Sequence, residues 1–298
     1  MLCLSSHHRE LAFLILLSLL PVPFLSARDF SIPPADSPTT APLVDDTTPS
    51  ERGRTPGSLQ EALTLLEKDR KVPALRFMKN WILENPESER AVEVFKKIAA
   101  SENDLDQSVA FTRELLARHP YSPPARYAYF ELGGFYLLKR DFQRAVSAYS
   151  DFLRLNPHSP LRPEAGRRLA GSLMSLGKYE AALRQWNTLR NDNPDFANSP
   201  DITDAIAGCE IARGNTGEAL KLLRYIVNKF PNYPYLPKVY LNLGLCYEDR
   251  GLYEIAREWY GELVRLFPGS LEKKLAQSRI NDIDRTLPPR SGDDALSH

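Results

Sequence analysis

The 298-residue chain has no excess of charge of either sign, since 38 Lys and Arg balance 38 Asp and Glu. Nucleic-acid binding needs a basic footprint, so no nucleic-acid partner is expected. Three cysteines are too few for a disulfide framework. The five histidines are scattered: His7 and His8 near the start, His119 and His158 beside prolines, and His298 at the end. None stands at ligand spacing from Cys, Asp or Glu, so no metal is expected. A Gly-rich phosphate loop and a nucleophile elbow are both missing. Acidic pairs such as Asp201 and Asp204 lie one helical turn apart, where a solvated face outweighs acid–base chemistry. These gaps together argue for a protein that is not an enzyme and uses no cofactor. The one long apolar run, Leu11 to Leu20, has ten residues, about half of what a membrane-spanning helix needs.

That run is followed by Pro21, Pro23 and the small residue Ala27, the layout of an export signal over residues 1–27. An uncleaved interfacial anchor is the alternative. No cysteine follows the run, so a covalent lipid anchor is not expected. Residues 28–57 hold Pro33, Pro34, Pro38, Pro42, Pro49 and Pro56 among Thr, Ser and Asp. Such a stretch buries too little apolar surface to offset its ordering entropy, so it reads as a disordered linker. The tail, 287–298, reads the same way. Exported and periplasmic, peripheral to the outer membrane at most, is the localisation these ends imply.

What the chain does have is a period. Pro120, Pro157, Pro194, Pro231 and Pro268 are 37 residues apart, and Pro163, Pro200 and Pro237 repeat at the same interval. Prolines of the first series should end helices, since they lack an amide proton and clash with the preceding turn. Those of the second should open helices, where the missing proton costs nothing. Ser58-Leu59-Gln60-Glu61 fits a capping box, so folding should begin there and continue to about 286.

The clearest repeat runs from Arg126 to His158. Tyr129, Leu132, Gly133, Tyr136, Ala145, Tyr149, Phe152 and Pro157 follow the tetratricopeptide pattern. Gly133 and Ala145 lack bulk where the two helices of a hairpin approach, and the aromatic residues fill the seam. The pattern returns at Tyr240, Leu243, Gly244, Tyr247, Ala256, Tyr260 and Pro268. It weakens at Leu169, Ala170, Leu173, Ala182 and Trp186, and again at Ile206, Ala207, Ala219 and Leu223, where Glu210 takes an aromatic position. Degenerate copies around Ala74, Met78 and Trp81 and around Leu115 lead the array. Leu271, Leu275, Ile280 and Ile283 should line a closing helix capped by Ser270. The expected fold is all-α, a right-handed superhelical solenoid over 58–286 of about six helical hairpins plus a C-terminal capping helix.

Cys209 and Cys246 are also 37 apart. Equivalent points on stacked helices are about 8–10 Å apart, and a disulfide needs Cα atoms within about 7 Å. Two buried thiols are the better reading, with a disulfide as the alternative.

In such an array the first helices of the hairpins line an inner groove. By offset the inward residues are Tyr127, Phe130 and Leu137, then Glu164, Arg167 and Met174, then Asp201 and Asp204, then Lys238, Leu241 and Leu245. An apolar stretch would anchor a partner segment and charges would set its register. The alternative is that Phe130 and Leu137 pack against a neighbouring loop or the closing helix.

Residues from Tyr121 to Pro268, including HPYSPPARYAYFELGGFYLLKRDFQRAVSAYSDFLRLNPHSP, resemble exported bacterial tetratricopeptide proteins of the cell envelope. The repeats are similar to those of the lipoprotein of the outer-membrane β-barrel assembly machine and of the periplasmic Tol–Pal-associated protein. The chain lacks the first one's lipid-bearing cysteine and the second one's coiled coil. The resemblance implies a non-enzymatic scaffold that binds envelope proteins. A self-assembling structural component, or an accessory domain for an enzyme of peptidoglycan or polysaccharide, is the alternative.

Overall fold

The computed structural model describes residues 55–286. The expected signal, most of the expected linker and the expected tail lie outside the described residues. Fourteen helices and no strand occur among the described residues, so the fold is all-α. In chain order they are α1 (Leu59–Glu67), α2 (Lys71–Glu84), α3 (Ala91–Ser101), α4 (Leu105–Arg118), α5 (Pro123–Leu138), α6 (Phe142–Leu155) and α7 (Arg162–Ser175). There follow α8 (Tyr179–Asp192), the single turn α9 (Pro194–Ala197), α10 (Pro200–Ala212), α11 (Thr216–Lys229), α12 (Leu236–Asp249), α13 (Tyr253–Leu266) and α14 (Glu272–Thr286). The chain divides into two compact units, which among the described residues are 55–176 and 177–286.

The prolines punctuate the helices as their chemistry demands. Pro86, Pro120, Pro157, Pro231 and Pro268 each follow the C-cap residue of a helix. Pro194 likewise follows the C-cap residue of α8, Asn193, and it also opens the single turn α9. Pro163, Pro200 and Pro237 all fall in first turns. At the start of α1 the Ser58 hydroxyl accepts from the Glu61 amide at 3.2 Å, and the Glu61 carboxylate reaches back to the Gly57 amide at 2.8 Å.

A third 37-residue series closes the turns that follow α5, α7, α10 and α12. Arg140, Gly177, Gly214 and Gly251 all have positive φ, between 57° and 80°. At Gly214 the turn is a Schellman closure, with the Asn215 amide on the Glu210 carbonyl at 2.8 Å. Glycine adopts this conformation without strain, whereas Arg140 does so at a cost. Glu210, the departure from the aromatic pattern, has work at the same turn: its Oε2 accepts from Arg213 and Asn215.

In the first unit the core is built by Met78, Ile82, Phe95, Ile98, Phe111 and Leu115, and continues into α5. Each such side chain contributes about 1.5–3 kcal/mol on burial. Gly133 lets α5 approach α6 so closely that a Cβ there would lie 2.7 Å from the Tyr149 ring. In the second unit Gly244 meets Tyr260 in the same way, and Ala207 shares a core with the smaller Leu223.

The end of the second unit differs in part from expectation. Ala276 and Ile283 of α14 are buried, with Leu275 and Ile280 packed beside them. Leu271, expected on that face, is 91% exposed because it precedes the helix. Ser270 does not cap α14; its hydroxyl is buried with no hydrogen-bond partner among the described residues. Polar contacts latch α14 instead. Arg279 pairs with Glu248, which also accepts from the Tyr260 hydroxyl at 2.9 Å, and Arg257 pairs with Asp284 at 2.6 Å. Cys209 and Cys246 are separate free thiols, both buried.

Candidate functional site

In the first unit α5 leads the hairpin α5–α6, with α3 packed against α5 and α7 packed against α6. Tyr127, on the second turn of α5, is half-buried, and the Lys96 ammonium of α3 stands 4.2 Å from the centre of its ring. One turn further along α5, Glu131 is half-buried. Desolvation holds its carboxyl above the ordinary glutamate range, while Arg168 and Lys96 pull it back through space. Arg168 of α7 is only 6% exposed. Its guanidinium lies 5.1 Å from the centre of the Phe130 ring, its Nε donates to Glu164 Oε1 at 2.7 Å, and it reaches the Tyr149 hydroxyl at 3.5 Å. Arg167 donates to the other Glu164 oxygen at 2.9 Å and keeps 37% of its side chain exposed. These residues form one connected patch, with half-buried Leu137 and Met174 towards the C-terminal ends of α5 and α7.

Phe130 was expected on the open groove, and the structure corrects this. Its ring packs edge-on against Tyr149, 5.8 Å between centres, and beside Phe152 at 5.4 Å, and it is 7% exposed. An aromatic side chain so close to the hairpin seam gains more from joining the core than from facing water. Sequence offsets also pass over Arg168, Glu131 and Lys96. The spacing of Arg168 from Glu164, one full turn, is the available signal, since such pairs meet on a helix surface.

In the second unit three more expected groove residues are covered. Asp204 is buried; its Oδ2 accepts from Lys238 at 2.9 Å and lies 3.5 Å from the Tyr233 hydroxyl. Tyr233 also donates to Asp201 at 3.2 Å. Burial and these two carboxylates push the Tyr233 phenol far above its usual range. Leu241 and Leu245 share a core with Ala276 and Ile283, so α14 covers the face they would have offered. Lys238 remains half-buried and committed to Asp204. The open part of the expected site is therefore Tyr127, Leu137, Arg167 and Met174, all in the first unit.

An open cleft of about 370 Å³ also lies between α2 and α4, with Phe111 among its walls. Two of its cations are engaged: Lys79 with Glu102 at 2.7 Å and Arg118 with Glu114 at 2.7 Å.

The hairpin geometry agrees with sequence comparison. A tetratricopeptide-repeat profile matches residues 97–160, 139–196 and 210–270, more than half of the chain. The chain belongs to the tetratricopeptide-repeat family. No curated protein matches it. Among solved structures this tetratricopeptide-repeat chain is similar to YrrB, described as a TPR protein with an unusual peptide-binding site. That likeness has 20% identity and a TM-score of 0.54, and covers 67% of this chain and 97% of YrrB. It is also similar to MamA (41-end) from Desulfovibrio magneticus RS-1, at 14% identity and a TM-score of 0.51, over 62% of this chain and 99% of that one. At these identities the likeness establishes the fold. Tetratricopeptide-repeat proteins are typically interaction scaffolds, and no catalytic family is indicated.

Proposed function

We propose that this chain is a non-enzymatic scaffold of the bacterial cell envelope that holds a segment of a partner protein against the α3–α5–α7 face. The observation that carries this reading is the connected patch from Lys96 and Tyr127 to Arg167, with Leu137 and Met174 further along. Its buried members Phe130, Arg168 and Tyr149 fix one another, so the face is pre-formed, and a pre-formed face loses little entropy on binding. YrrB's peptide-binding site lends support at the level of the shared fold. The envelope part of the proposal rests on the export signal expected over residues 1–27 and on the resemblance to envelope tetratricopeptide proteins. Outer-membrane protein assembly and coordination of envelope growth with division are the roles in view.

Pull-down from envelope extract tests the binding part. Wild type should recover a partner that Tyr127→Ala plus Arg167→Ala loses while keeping its helical circular dichroism. Equal recovery by both rejects the face. Fractionation with mass analysis of the N-terminus tests export: the protein should leave the cytoplasm with its first residues removed near Ala27.

A further inference from the structure

The charges on this face are unevenly committed. Lys96, Arg167 and Arg168 supply three cations against the two carboxylates of Glu131 and Glu164. Both Glu164 oxygens are occupied by the two arginines. Arg168 is sealed against Phe130. Lys96 is exposed and has an aromatic ring beneath it, with no carboxylate in ion-pair contact among the described residues. Arg167 spends only one edge of its guanidinium on Glu164. The donors that still face solvent are therefore the Lys96 ammonium and the outer N–H groups of Arg167. Leu137 lies ten residues beyond Tyr127 on the same helix, roughly 15 Å along its axis. An extended chain crosses that distance in about five residues.

We propose that the α3–α5–α7 face recognises an acidic segment inside a partner chain, its side-chain carboxylates meeting Lys96 and Arg167 and an apolar residue about five positions away meeting Leu137 and Met174. This deepens the scaffold reading above and rests on it. The interaction forms charge-assisted hydrogen bonds at the two cations. It needs no free chain end, because the donors belong to long exposed side chains and not to a closed pocket. Glu131 opposes the ligand least where its raised carboxyl is protonated.

Fluorescence anisotropy on the full chain tests it. The probe is a short labelled peptide, acetylated and amidated, with two glutamates followed about five residues later by two leucines. Versions with lysine or glutamine in place of glutamate serve as comparisons. The glutamate peptide should bind roughly tenfold or more tightly than the lysine peptide, and should weaken as salt rises. Lys96→Gln, which breaks no ion pair among the described residues, should weaken it several-fold, and Lys96→Glu plus Arg167→Glu should reverse the preference. Equal binding of the three peptides, tighter binding of the lysine version, or no binding of the glutamate version overturns the proposal. If the glutamine or lysine peptide binds and Tyr127→Ala releases it, the acidic preference fails while the face stands as a peptide site. If none binds, the pull-down decides the scaffold reading separately.

Discussion

Two adjacent glycines in α5 should respond with opposite sign to the same substitution. A Cβ on Gly133 would lie 2.7 Å from the Tyr149 ring, whereas one on Gly134 would meet only the Arg168 guanidinium at 3.5 Å and the Tyr149 hydroxyl at 3.8 Å. Tyr149 is fully buried and edge-on to Phe130, so its ring has nowhere to withdraw. Alanine in a helix interior gains about 1 kcal/mol over glycine. Overpacking a rigid core costs about 1–3 kcal/mol. Gly133→Ala should therefore destabilise by up to about 2 kcal/mol, and Gly134→Ala should stabilise by about 0.5–1 kcal/mol. For a folded chain of this size that is a fall of up to roughly 8 °C against a rise of roughly 1–4 °C. Thermal unfolding followed by circular dichroism reads both. Adding Tyr149→Leu to Gly133→Ala restores the small-with-Leu pairing of Ala207 and Leu223, so the double change should cost at least about 1 kcal/mol less than the sum of its parts. A Gly133→Ala protein as stable as its Gly134→Ala counterpart would refute the close-approach argument.

Other expectations follow from burial and backbone. Arg140→Gly should stabilise by about 1 kcal/mol, since it relieves a positive φ at the position where the later repeats carry glycine; Gly214→Ala should destabilise by a similar amount, and chemical denaturation measures both. Leu245→Ala should cost about 2–5 kcal/mol and raise amide exchange in α14 before other helices of its unit. Glu131→Gln should stabilise the protein at neutral pH: folding raises this carboxyl's pKa, so wild type loses stability as pH rises from the ordinary glutamate range through the raised value, and the variant does not. Below the ordinary range the two should coincide. Cys209 and Cys246, whose thiols burial pushes up to about 12, should both resist a thiol reagent in the native protein and react once it is unfolded.

The sequence by itself determined the period, the helix boundaries and the family. Proline acts locally, by losing a proton donor and fixing φ, so Pro157 or Pro237 announces a helix end or start without any tertiary knowledge. The same is true of the positive-φ series at 177, 214 and 251, which the glycines mark at the same interval. What the sequence could not fix was which side of a leading helix stays open. Phe130, Asp204, Leu241 and Leu245 occupy equivalent or neighbouring offsets, yet what covers them differs: the α6 aromatics over Phe130, Tyr233 with Lys238 over Asp204, and α14 over both leucines. Arg168 and Arg167 are neighbours in sequence, and only the position of Phe130 seals one while the other faces water. Exposure is a property of what packs on a face, and that neighbour is supplied by another helix. Only the tertiary structure therefore decided that the open surface is the patch around Tyr127 and Arg167.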